Sequence, residues 1–366
     1  MSGKRGVLLA AGGTGGHLFP AASLAAALER RGVAVDLATD ERTEKYGADF
    51  PARAIHPVPS ATPTGAGILS KVAASATLGY GVVHALALIY QLRPRAVVGF
   101  GGYPTVPPLV AAWLSGTPSV LHEQNAVMGR ANRFLAPRVT RIATGFPNLK
   151  GIEDAQQSKT RYTGNPVRPA VLEAAKTPFP DYADGRLHVL ITGGSQGARI
   201  MADVAPAALA LLTPEERARI RLTQQARGED KARVAAACAK LQFPVEIEEF
   251  FPDLPRRIAA SHLVVGRAGA STVSELAVIG RPSILVPFPH ALDQDQAANA
   301  AVLAASGAAE VIPQPQFTPA CLARLLREAL ADPARLAASA SAAKAAGVSD
   351  AAERLADLVM EIAGDG

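Results

Sequence analysis

The chain has 366 residues, 49% of them hydrophobic and 19% charged, with a formal net charge of +5. That length suits two ordinary domains, each burying its own core, and the apolar fraction excludes a disordered chain. Two isolated cysteines, Cys238 and Cys321, exclude a disulfide scaffold; both read as small buried apolar residues of a protein kept in a reducing cytoplasm.

The first residues lead straight into Val7-Leu8-Leu9-Ala10-Ala11, a run too short for a signal peptide. No stretch reaches the roughly 20 consecutive apolar residues of a spanning helix; the longest candidate, Leu78 to Tyr90, carries His84. The modest positive charge does not require nucleic acid, because an anionic ligand or lipid surface accounts for it.

In chain order, strands are predicted at 6–11, 33–38, 96–100, 119–122 and 141–143, with helices between them such as 20–31 and 107–115. A second series follows, with strands at 187–192, 219–223, 245–248, 263–266 and 283–286, and helices at 197–212, 230–240, 272–279 and 294–305. Short β-branched runs alternating with alanine-rich helices predict α/β, doubly wound parallel sheets. A breaker-rich stretch, Thr163–Pro169, marks the linker, which gives domains 1–165 and 166–344. The last helix, in 345–366, is expected to pack back on the first domain.

Both halves open alike. Strand 6–11 enters Gly12-Gly13-Thr14-Gly15-Gly16, and strand 187–192 enters Gly193-Gly194-Ser195-Gln196-Gly197. Such a turn offers backbone N–H groups and a positive helix end to an anion. Neither turn fits the G-x-G-x-x-G dinucleotide fingerprint, since Leu18 and Ser195 stand where glycines are needed. Asp40, at the place of a ribose-binding acid, is the one feature a dehydrogenase would share.

His17 follows the first turn, where a histidine can act as a general base or simply cap the turn. Gly99-Phe100-Gly101-Gly102-Tyr103 and His122-Glu123-Gln124-Asn125 also sit at strand ends. In Gly266–Glu275, small side chains leave room for a ligand against the backbone, and Glu275 can accept bonds from a vicinal diol. Asp293-Gln294-Asp295 has a metal-binding D-x-D form but precedes a helix, where acids serve as caps. No metal site is read from it.

Seven ordered motifs together resemble the MurG family of bacterial peptidoglycan glycosyltransferases, of family 28 type. They are Gly12–Pro20, Gly101–Tyr103, His122–Asn125, Thr163–Arg168, Gly193–Ala198, Arg267–Glu275 and Pro287–His290 with Asp293–Asn299. The resemblance implies a GT-B fold, two Rossmann-like domains facing a cleft, and inverting transfer of GlcNAc from UDP-GlcNAc to the muramyl 4-hydroxyl of lipid I, with no metal or other cofactor. It implies that Ser195 and Gln196 meet the diphosphate, Arg168 lies near the nucleotide, and Phe251 lies by the uracil-binding loop. Gly269, Ala270, Ser271 and Thr272 would line the donor site, with Glu275 on the ribose and Gln296 on the sugar; Gln294 and Asp295 remain alternatives for the sugar contact. From the first domain it implies Thr14, Gly15, Gly16 and Asn125, with His17 and Tyr103 facing the acceptor. His17, Glu123 and Asn125 are the candidates for the catalytic group.

A polyprenyl acceptor implies work at the cytoplasmic face of the inner membrane. Ile68–Val72 and Leu78–Tyr90, near Lys71, Arg93 and Arg95, are the expected anionic-lipid-facing patch. Other cell-wall synthesis proteins are candidate partners; nucleic acid is not. A UDP-GlcNAc 2-epimerase, a glycolipid synthase and a non-catalytic nucleotide-sugar binder are the competing readings.

Overall fold

The structure, a computed structural model, describes residues 5–12, 15–40, 50–62, 67–194, 197–291 and 294–364. The chain forms two compact units, Met1–Arg168 with Ser349–Gly366, and Pro169–Val348. The division falls after Arg168 rather than 165, so the Thr163–Arg168 motif lies wholly in the first unit, and the returning segment begins at Ser349 rather than 345.

The first unit contains β1 (Val7–Ala10), α1 (Gly15–Arg30), β2 (Val35–Thr39), β3 (Ala54–Pro57), α2 (Ile68–Leu92) and β4 (Ala96–Gly99). It continues with α3 (Val106–Ser115), β5 (Ser119–Glu123), α4 (Arg130–Leu135), β6 (Arg141–Thr144), α5 (Asp154–Gln157) and β7 (Thr160–Tyr162). Its seven strands run in the order β3-β2-β1-β4-β5-β6-β7, all parallel.

The second unit contains α6 (Pro169–Ala174), β8 (Leu187–Thr192), α7 (Arg199–Ala210), α8 (Pro214–Ala218), β9 (Ile220–Gln225), α9 (Gly228–Lys240), β10 (Val245–Glu248) and α10 (Leu254–Ala259). Then come β11 (Leu263–Gly266), α11 (Ala270–Ile279), β12 (Ser283–Leu285), α12 (Asp295–Ala305), β13 (Ala309–Val311), α13 (Pro319–Ala331) and α14 (Pro333–Ala346). Its six strands, also parallel, run β10-β9-β8-β11-β12-β13. In each sheet the order reverses beside the first strand, β1 or β8, which is where open α/β sheets bind ligands.

Strands such as Val7-Leu8-Leu9-Ala10 are buried throughout because helices cover both faces of the sheet. On one face Leu24 and Leu28 of α1 pack with Leu9 and Val98; on the other, Leu88, Ile89 and Leu109 pack with Leu8 and Val97. The last helix, α15 (Ala351–Ala363), joins the first of these clusters through Leu355, Leu358 and Val359, all fully buried. Arg31 adds ion pairs to Glu353 (2.6 Å) and Asp357 (2.7 Å), which at the surface contribute little beside the apolar burial.

Several local expectations change. α1 starts at Gly15 rather than Pro20, so Pro20 lies inside it, without the N–H that would bond the Gly16 carbonyl. α7 and α9 differ by two residues at their starts, and α11 begins at Ala270 rather than 272. β3, β7 and β13 are short edge strands whose half-exposed residues lack an apolar run to announce them. Cys238 is buried, but Cys321 is partly exposed. The apolar stretches near 68–72 and 78–90 form one helix, α2, of which Ser70–Leu92 is long and apolar enough to cross a membrane by length and composition. Ala85, Leu88 and Ile89 are instead committed to the core of the first unit.

At the end of β5, His122 is wholly buried, with Nε2 3.1 Å from the Gly164 carbonyl, a contact that ties β5 to the loop before Arg168. Burial pushes its imidazole down to about 4 from an ordinary 6.5. The folded chain therefore refuses a proton that the unfolded chain accepts. The resulting stability is present above about pH 6.5 and lost as pH falls towards 4, each tenfold difference in proton affinity between the two states being worth about 1.4 kcal/mol. Urea unfolding of the first unit should show a midpoint that drops between pH 7 and pH 5, and drops less in His122→Gln. Leu355→Ala should cost that unit about 2–5 kcal/mol, read as a lowered midpoint in the same experiment.

Candidate active site

In the first unit, β1, β4 and β5 are neighbours, so their C-terminal ends bring three separate motifs to one edge of the sheet. His17, in the first turn of α1, places Nδ1 3.1 Å from Gln124 Oε1. Its ring lies against the Gly101–Gly102 turn: a Cβ on Gly102 would stand 3.5 Å from His17 Nε2, and one on Gly101 3.6 Å from Cε1. Both glycines have positive φ, +85° and +74°, which a side chain would resist. Tyr103 opens the short turn that follows, partly buried against the core. Burial lowers the His17 pKa, opposed by its contacts with Gln124 and the Phe100 carbonyl, so the imidazole is neutral at pH 7.

Glu123 does not face outward. Its carboxylate is 1% exposed and takes four donors: Asn125 N (2.8 Å) and Asn125 Nδ2 (3.4 Å) on Oε1, and Gly129 N (2.9 Å) and Asn132 Nδ2 (2.7 Å) on Oε2. Burial raises its pKa and these donors oppose the rise. A group so enclosed cannot receive a proton from a substrate; it shapes the loop that presents the partly exposed Asn125. Asn165 Nδ2 donates to the Gln124 carbonyl at 2.8 Å, fastening the loop after β7 to the same edge. Arg168 lies 4.7 Å over the ring of Phe19 on α1. Gly15 is buried and Gly16 exposed, while Thr14 lies outside the described residues.

In the second unit, the turn after β8 closes on itself. A Cβ on Gly193 would lie 2.1 Å from Ala198 N. Gln225, buried at the end of β9, accepts from Gly193 N (2.9 Å) and Thr192 Oγ1 (2.9 Å) and donates to the Gly194 and Glu249 carbonyls (3.1 Å each). Ser195 and Gln196 lie outside the described residues, as does Asp293.

After β11, Arg267 donates to the carbonyls of Val286 (3.0 Å) and Pro287 (3.3 Å) and to Gln314 Oε1 (2.7 Å). α11 then starts from Gly269 with no side-chain cap on the first-turn N–H groups of Ala270, Ser271 and Thr272, at the positive end of the helix. Ser271 and Thr272 are partly exposed, and Glu275, in the second turn, is buried. Gln296 Oε1 accepts from Ala268 N (3.3 Å) and Phe288 N (3.0 Å), joining the two loops that follow β11 and β12. Asp295 takes the Gln296 N–H at the start of α12, the role of a helix-start acid, and Gln294 is exposed before it. Phe251 is buried under Arg257, whose guanidinium is 4.4 Å from the ring; its neighbour Phe250 carries the exposed ring.

Reading the sequence missed Gln225, Asn132 and Arg267 as positioning groups. For Gln225 and Arg267 the one signal is polarity at a strand end, as in Thr223-Gln224-Gln225, where an apolar strand turns to amides, and Asn132, inside α4, has none.

The glycosyltransferase family 28 N-terminal domain matches residues 7–144, and the family 28 C-terminal domain matches residues 188–355. The chain is 57% identical over 360 residues, 98% of it and 96% of the relative, to the UDP-N-acetylglucosamine--N-acetylmuramyl-(pentapeptide) pyrophosphoryl-undecaprenol N-acetylglucosamine transferase of Methylobacterium nodulans. It is 55% identical to the protein of the same name from Rhodopseudomonas palustris, again covering 98% of this chain and 96% of that one. The crystal structure of Acinetobacter baumannii MurG superposes with a TM-score of 0.81 at 29% identity, covering 98% of this chain and 99% of that one. The chain therefore belongs to glycosyltransferase family 28, among the transferases that carry this name.

Proposed function

We infer that this chain transfers GlcNAc from UDP-GlcNAc to the muramyl 4-hydroxyl of undecaprenyl-pyrophosphoryl-MurNAc-pentapeptide, forming lipid II and UDP in peptidoglycan synthesis. The observation that carries the reaction is the identity, 57% across nearly the whole of both chains, to a transferase named for it. The donor sugar is α-linked and the product β-linked, so one inverting displacement is required. The acceptor oxygen bonds to C1, the bond from C1 to the diphosphate breaks, and the hydroxyl proton must go to a base.

His17 is the base in this reading, because it is neutral and partly exposed, whereas Glu123 is enclosed. Glu123 positions Asn125, which with Thr14, Gly15 and Gly16 supports the donor from the first unit, while Tyr103 serves the acceptor. On the second unit, the Gly193–Gly197 turn with Ser195 and Gln196, the uncapped start of α11 and Arg168 of the first unit are the groups that meet the charge growing on departing UDP. Preorganised donors of this kind act where charge develops, and losing one typically costs about 10²–10³ in rate. Glu275 takes the ribose hydroxyls and Gln296 the sugar. Since its ring is covered by Arg257, Phe251 serves the uracil through its backbone.

The polyprenyl acceptor places the enzyme peripherally at the cytoplasmic face of the membrane. Val72, Tyr80, Val83 and Tyr90 of α2 are exposed at spacings that keep them on one helix face. Trp113 and Leu114 of α3 and Phe134 of α4 are exposed too, and Arg138 stands 5.6 Å from the Trp113 ring and 4.2 Å from that of Phe134. Aromatic rings beside arginine suit the headgroup layer of an anionic bilayer.

Transfer of radiolabelled GlcNAc to a short-chain lipid I analogue should proceed in EDTA, and His17→Ala should lower kcat by about 10²–10⁴; no transfer with or without Mg²⁺, while UDP-GlcNAc still binds, would remove the assignment. In flotation with anionic vesicles, the protein should rise with the lipid at low salt and less so at high salt, and the Tyr80→Glu, Val83→Glu double variant should stay behind.

A further inference from the structure

We propose that Gln124 is a positioning residue that sets the tautomer of His17, placing the proton on Nδ1 and the lone pair on Nε2. The inference rests on the reading of His17 as the base and adds to it a reason why the ring presents an acceptor to the substrate hydroxyl.

The argument is one of donors and acceptors. Gln124 is 4% exposed, and its amide touches two groups. Its Nε2 lies 2.7 Å from the Phe100 carbonyl oxygen. A carbonyl only accepts, so the NH₂ end of the amide must point there, and the amide cannot be reversed without setting two oxygens against each other. The end left for His17 is Oε1, 3.1 Å from Nδ1. That oxygen carries no hydrogen, so the contact is a hydrogen bond only when Nδ1 donates. A neutral imidazole with its proton on Nδ1 has its lone pair on Nε2.

The rest of the site holds this arrangement. The backbone of Gln124 is fastened by Asn165 Nδ2 on its carbonyl, so the side chain starts from a fixed point. Phe100 follows β4 and its N–H bonds the Ala10 carbonyl at 2.9 Å, so the acceptor that orients the amide is itself part of the sheet edge. Nε2 is the ring atom nearest the Cβ-less face of Gly102. When the acceptor hydroxyl gives its proton to Nε2 as its oxygen bonds to C1, the imidazolium keeps its Nδ1–H on Gln124 Oε1. The positioning contact thus survives the proton transfer, and the proton leaves to water after UDP departs.

The test combines kinetics on the lipid I analogue with NMR of protein carrying ¹⁵N-labelled histidine, the His17 signals being assigned by their loss in His17→Ala. The wild type should show the Nδ1–H pattern at His17. Gln124→Met, of similar length but without the amide acceptor, leaves the Phe100 carbonyl as the ring's remaining acceptor and should show a larger share of the Nε2–H form than wild type, a kcat lowered at least tenfold as part of the roughly 10²–10⁴ a positioned base supplies, and a KM for UDP-GlcNAc within about twofold of wild type. Gln124→Glu, whose buried carboxyl in its protonated form donates to the Phe100 carbonyl and offers its other oxygen to Nδ1, should restore the Nδ1–H pattern and part of kcat. Wild-type kcat in Gln124→Met, or a reduced kcat with the His17 pattern unchanged, would overturn the inference while leaving His17 as base. Full activity in His17→Ala would remove the base assignment itself and this inference with it. If Gln124→Met does not fold, Gln124→Glu decides: an Nε2–H pattern there overturns the proposal.

Discussion

Where Gly193 passes Gly197 and Ala198, the backbone folds back so closely that a Cβ would lie 2.1 Å from a main-chain nitrogen. This close approach is the constraint on which the rest of the site depends. A parallel strand ends with all its neighbours ending beside it, and the helix that returns over the sheet must begin within a few residues. Only a residue without a side chain can stand at Gly193 and make that reversal. In the first unit the requirement is met again by Gly101 and Gly102, whose positive φ values bring the turn after β4 against the ring of His17.

Around these turns, buried polar side chains act as braces. Glu123 collects four donors from one loop, Gln225 makes four bonds between three strand ends, and Arg267 spans two loops through three acceptors. Glu123 and Gln225 are held away from water, where an unpaired polar group is costly and a paired one fixes geometry, and Arg267 is half-buried. His17, Asn125, Ser271 and Thr272, at the same strand ends and helix starts, are partly exposed.

The helices follow the same logic at larger scale. α2 reads by composition as a membrane span, yet one of its faces supplies Ala85, Leu88 and Ile89 to the core while the opposite face leaves Val72, Tyr80, Val83 and Tyr90 exposed. One helix thus gives one apolar face to the core and leaves apolar side chains at the surface on the other. α15 returns to the first unit because Leu355, Leu358 and Val359 complete a cluster that α1 alone leaves open.

The sequence by itself determined the fold class, the paired strand–glycine–helix openings, the family and the set of motifs at strand ends. These are encoded locally: periodicity declares strands and helices, and glycine declares tight turns. It left undetermined the short edge strands β3, β7 and β13, whose residues have no apolar pattern, and the union of two apolar stretches into α2. It also left open which of His17, Glu123 and Asn125 the fold encloses. That choice turned on burial and on donors from Gly129 and Asn132, contacts that no spacing rule announces. Gln225 and Gln124 were legible only as polar residues at strand ends. Their tasks depend on which carbonyls and N–H groups the sheet brings beside them, and strand order is decided by tertiary packing.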